Sequence, residues 1–141
     1  MKKIIAALLL MATCLVFVTS CGTLDAEKAT EKLQKEGCTV VALGTSEEVN
    51  EKYKDIGLKT LTSVTNALIA DETQDYVIVF FCNNEKNAGY LEEELDAILD
   101  NEETLKKLFG QTELIHIEDY KVDSNKNVVA IGHEFLVDTA L

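Results

Sequence analysis

Tyr76-Val77-Ile78-Val79-Phe80-Phe81-Cys82 is the strongest strand signal in the chain, and it limits the fold more than any other segment. β-Branched and aromatic side chains fit a pleated, packed surface, and the run has the length of a strand. Residues 71 to 75 directly before it read as a turn, so the strand is expected to pair back onto residues 60 to 69 as a hairpin. Within those ten residues Leu61, Val64 and Leu68 have helical spacing, whereas the threonine- and serine-rich composition favours strand. The adjoining turn decides for strand.

Apolar spacing predicts helices around this hairpin. Asp25 to Glu36 carries Ala26, Ala29 and Leu33 on one stripe and stops at Gly37. Thr39 to Leu43 reads as a buried strand. Thr45 and Glu48 have capping-box spacing and open a second helix through Val49, Tyr53 and Ile56, ended by Gly57. Ala88 to Asp100 is amphipathic, with Leu91, Leu95, Ile98 and Leu99 inward, and Leu105, Leu108 and Phe109 mark a short helix ended by Gly110. Leu114 to Val122 and Asn127 to Gly132 form a second hairpin around Asp123-Ser124-Asn125-Lys126, and Glu134 to Leu141 closes with helical turns. This order predicts the α+β class: a single two-layer domain, with a largely antiparallel sheet of about five strands and helices mostly on one face.

The N-terminal segment carries the targeting information. Lys2 and Lys3 precede an apolar run from Ile4 to Val18, which suits a secretory signal and is short for a membrane span. Val18-Thr19-Ser20-Cys21-Gly22 follows and resembles the lipobox of bacterial lipoproteins. The resemblance implies cleavage between Ser20 and Cys21, diacylglycerol on the Cys21 thiol, and a domain of residues 21–141 held at the extracytoplasmic face of a membrane. Residues 1–20 would be the signal peptide that is removed. Two acyl chains anchor a small domain stably, at roughly 0.8 kcal/mol per buried methylene. The helical pattern begins within a few residues of Cys21, which leaves almost no tether.

Two of the 13 lysines lie in residues 1–20, and there is no arginine; the remaining 11 face 25 acidic residues, a formal charge of about −14. Phosphate backbones are repelled by such a surface, so nucleic acid is excluded as a partner, while a basic protein or peptide and metal ions remain compatible with it; the alternative is that the acidity only keeps an exported domain soluble. Cys14 leaves with the signal and Cys21 carries lipid, so Cys38 and Cys82 are the remaining side chains that could form a disulfide; buried thiols are the alternative.

The second hairpin supplies the sharpest chemical candidate. A loop of two residues at Ser124-Asn125, or of four from Asp123 to Lys126, places Tyr120 opposite Val129, Glu118 opposite Ile131 and His116 opposite His133. Directly opposed β-carbons lie about 4.5–5.5 Å apart, close enough for two imidazoles to share one ion. Glu118, on the same face, could be a third ligand, and two histidines with a carboxylate form a known zinc arrangement. The alternative is a pair of solvated surface histidines. A calcium reading uses Asp123, Asn125, Asn127 and Glu134 at positions 1, 3, 5 and 12 of an EF-hand pattern, but Val128 stands where glycine makes the turn. A polar hairpin turn explains the same residues. The acidic run from Glu92 to Glu103 is either a cation-binding face or the solvated side of a helix. Phe80, Phe81, Tyr76 and Tyr90 either line a pocket or fill the core. Ser46, Ser63 and Ser124 lie in no nucleophile elbow, and no phosphate-binding glycine loop is present.

Beyond the lipobox, the opening helix, Gly37-Cys38-Thr39-Val40, Val77-Ile78-Val79-Phe80-Phe81 and Val128-Val129-Ala130-Ile131-Gly132 before a helix resemble small lipoproteins of gut Firmicutes. Tyrosine is more usual in that group where Ile131 stands. The resemblance implies a fold and no site residue. The sequence thus reads as a lipid-anchored, non-enzymatic binding or interaction module for an envelope or extracellular partner. A zinc- or calcium-binding protein and a structural envelope protein without ligand are the alternatives.

Overall fold

The computed structural model describes residues 24–141. Ser20, Cys21 and all of the expected signal segment therefore lie outside the described residues. Five strands, β1 (Thr39–Thr45), β2 (Val64–Glu72), β3 (Asp75–Cys82), β4 (Tyr120–Asn125) and β5 (Val128–His133), form one antiparallel sheet in the order β1-β2-β3-β5-β4. Among the described residues five α-helices accompany it: α1 (Leu24–Lys35), α2 (Ser46–Tyr53), α3 (Glu85–Asp96), α4 (Glu102–Phe109) and α5 (Glu134–Ala140). The α+β class and the five-stranded antiparallel sheet are as expected.

The layering differs in one respect. β3 lies at the centre of the sheet, and its residues from Val77 to Cys82 are all buried. Side chains alternate along a strand, so an unbroken apolar run makes both faces hydrophobic, and both require a cover. Ile78 and Phe80 point into a core formed with α2, α3 and α4, whereas Val77, Val79 and Phe81 point into a second core formed with α1 and α5. Three helices do share one face, but the other two cover the opposite one, giving three layers instead of two.

Local chemistry explains the ends of the helices. α1 stops at Gly37, whose φ of 91° lets the Cys38 N–H return to the Leu33 carbonyl at 3.0 Å. At α2 the Glu48 carboxylate accepts the Thr45 N–H at 2.7 Å. Asn84 caps α3 by accepting the Asn87 N–H at 2.8 Å, and Asn101 caps α4 by accepting the Thr104 N–H at 3.1 Å. These caps start both helices earlier than the apolar stripes indicate.

Residues 60 to 69 divide. Lys59–Ser63 is a 3₁₀ turn and only the following residues enter β2. The turn is held from a distance, because the Glu94 carboxylate on α3 accepts the N–H groups of Lys59 and Thr60 at 3.2 and 3.0 Å. Glu92 likewise accepts the Ser124 hydroxyl at 2.5 Å. Two members of the acidic run are thus tied into the fold, while Glu93, Asp96, Glu102 and Glu103 remain exposed. Phe80 and Phe81 are core residues on opposite faces, Tyr76 packs against the larger core, and Tyr90 is exposed on α3, so these four line no common pocket.

Cys38 and Cys82 are free, buried thiols and form no disulfide. Cys38 sits beside the Asp71–Tyr76 end of the sheet and Cys82 opposes Val64 at the other, six residues along β3, roughly 20 Å at 3.3 Å per residue. They also belong to different cores. Burial, the largest cause at each site, pushes both thiols up to about 11, which leaves them unreactive at neutral pH.

Candidate metal centre

The second hairpin turns two residues later than its polar sequence indicates. Lys126-Asn127 forms the turn, with Lys126 at a φ of 55°, and Asn125 opposes Val128. The register therefore moves by four positions: His133 faces Tyr120 instead of His116, and Val122 faces Ile131. Packing explains the choice. In this register Tyr120 is buried against Phe109, with ring centroids 5.5 Å apart, and Phe109 in turn meets Tyr76 at 6.1 Å. An even shift keeps every side chain on its expected face.

Residues 114 to 119 consequently leave the sheet. Ile117–Asp119 is a 3₁₀ turn entered through His116, whose φ of 52° is left-handed. This fold-back returns His116 to His133 by another route, and the imidazole centroids lie 6.3 Å apart. Glu118 is exposed on the turn and is not part of the cluster. Its place is taken by Asp75, the first residue of β3, although residues 71 to 75 read from sequence as a turn. Asp75, His116 and His133 each offer one ligand atom, and these atoms all lie within 4.8 Å of one another.

The strand order brings the three together. β3 and β5 are neighbours with Val77 opposite Gly132, so the start of β3 and the end of β5 reach the same sheet end, where β4 also begins. Asp75 and His133 are mostly covered, with side chains 22% and 18% exposed, while His116 is 54% exposed and closes the site from the solvent side. The Tyr120 ring meets His133 edge-on, with centroids 6.4 Å apart. Burial pushes the Tyr120 phenol up to about 12, so it stays neutral.

His116 Nδ1 lies 3.1 Å from Asp75 Oδ1. That hydrogen bond is the largest cause raising the His116 pKa, joined by the charges of Asp75, Glu118 and Asp119. The imidazolium–carboxylate contact is complete below the unfolded value of about 6.5 and is lost as pH rises through the raised folded value. In a pH titration of the imidazole proton resonances, His116 should show a midpoint above about 6.5, and Asp75→Asn should lower it. A midpoint that Asp75→Asn leaves unchanged would mean that the contact does not form in solution.

Zinc bonds nitrogen and oxygen at about 2.0–2.2 Å, which sets tetrahedral ligand–ligand edges near 3.4 Å. The 3.1 Å edge is already about that length, and the other edges, none above 4.8 Å, have to shorten by at most about 1.4 Å. The EF-hand reading finds no loop to support it. Asp123 and Asn125 lie on β4, Asn127 is in the turn, and Glu134 stands beyond the far end of β5. No known protein family, curated protein or solved structure matches this chain.

Proposed function

We propose that this chain is a lipid-anchored, extracytoplasmic binding module whose ligand is a divalent metal ion of the zinc class, held by Asp75, His116 and His133. The observation that carries the metal reading is the convergence of three ligand atoms from separate segments within 4.8 Å. Two imidazoles and one carboxylate suit zinc better than calcium or magnesium, which prefer all-oxygen sites. The anchor rests on Lys2, Lys3, the apolar run and Cys21, and the strongly acidic surface concentrates cations near the site. The same charge favours basic proteins or peptides as envelope partners.

Zinc titration of the full chain in detergent tests the reading. One ion per chain is expected, and at 100 times the dissociation constant it should stabilise the fold by about 2.7 kcal/mol, a shift of several degrees. Calcium at the same concentration should give no shift. His116→Ala and His133→Ala should each remove the zinc effect. Zinc binding that survives both substitutions would place the ion elsewhere and overturn the proposal.

A further inference from the structure

We infer that Asp119 is the fourth ligand of this centre, closing it into a site of two histidines and two aspartates with no open coordination position. The inference rests on the metal reading above and goes beyond it, since it separates an ion held for structure, storage or sensing from one that does chemistry.

Three observations on the molecule support it. Asp119 Oδ2 lies 3.9 Å from His133 Nε2, just outside the three-residue cluster. His116 and Asp119 bracket one 3₁₀ turn, closed by the Asp119 N–H donating to the His116 carbonyl at 2.9 Å. His116 enters that turn with a left-handed φ of 52° and Asp119 ends it, so the two side chains stand at the two ends of one short turn that packs beside His133. The Asp119 side chain is also 47% exposed, and among the described residues His133 is the one basic side chain within 4 Å of its carboxylate. It can swing inward without breaking another ion pair.

Charge and geometry then agree. The 3.1 Å contact of Asp75 with His116 and the 3.9 Å contact of Asp119 with His133 bracket a tetrahedral edge of about 3.4 Å. Two carboxylates and two neutral imidazoles leave a bound Zn²⁺ with no net charge. A closed site also holds no zinc-bound water, the species that titrates at about pH 7 and acts as nucleophile in zinc hydrolases. No hydrolytic activity is expected from it.

Cobalt and zinc titrations of the full chain in detergent decide the matter. With Co²⁺ the native chain should give the intense visible bands of a four-coordinate tetrahedral ion. Asp119→Asn should weaken those bands and reduce Zn²⁺ affinity at least about tenfold, and Asp119→Glu, which keeps the carboxylate, should restore most of both. Unchanged affinity and an unchanged cobalt spectrum in Asp119→Asn would overturn the fourth-ligand assignment and leave a three-residue centre. A native chain that binds neither ion would remove the metal reading together with this one.

Discussion

Gly132→Ala is expected to destabilise the domain by about 4 kcal/mol, a large share of the 5–15 kcal/mol that holds a typical domain. Gly132 has a φ of 153°, and a Cβ there would lie 2.1 Å from the Tyr76 carbonyl oxygen and 2.6 Å from the Val77 Cα. Both atoms are backbone of the paired strand β3, so no side chain can rotate away. The backbone conformation costs a non-glycine residue about 1–3 kcal/mol, and forced separation of β3 from β5 adds a comparable overpacking cost. Gly110→Ala makes a useful contrast. Its φ of 65° is also left-handed, but nothing lies within 4 Å of the added carbon, so only about 1–2 kcal/mol is expected. Urea unfolding of both variants checks the pair. A wild-type midpoint for Gly132→Ala would mean that β3 and β5 do not meet in this register, and the metal centre, built on the same pairing, would fall with it.

Phe80→Ala should lower stability by about 3–5 kcal/mol. Phe80 is fully buried in the larger core, meets Tyr53 edge-on with ring centroids 6.0 Å apart, and lies on the central strand opposite Val129. Its removal deletes the transfer free energy of the ring and leaves a cavity bounded by three helices that cannot all collapse inward. Phe80→Leu, which keeps most of the volume, should cost less than the alanine change. Denaturant unfolding separates the two, and equal losses would point to a defect in β3 itself. Zinc affinity per folded molecule should be unaffected by either change, because Phe80 does not touch the ligands.

The same strand shows what could be read from sequence. Tyr76 to Cys82 announced a strand, and Gly37, Gly57 and Gly110 marked the ends of helical segments, because those signals are local. Lys59–Ser63 escaped because its order comes from Glu94 on α3, far away in sequence. The two-sided covering of the sheet was implicit in β3, whose burial shows no alternation. At the candidate site the two histidines were named, but through a register that does not exist. Asp123, Ser124 and Asn125 have the local preferences of a turn, yet packing Tyr120 under Phe109 favours a turn at Lys126-Asn127. Asp75 was out of reach for another reason: it joins the histidines only because β3 and β5 are neighbours, which hairpin patterns do not specify.

The placement of α1 and α5 on one face has a consequence for folding speed. These two helices together cover Val77, Val79, Phe81 and Ala130, yet residues 36–133 separate them in the chain. Contacts of such high sequence separation must close a long loop before they are rewarded, which slows folding relative to a domain of local contacts. That sheet face is therefore the part of the core expected to seal last.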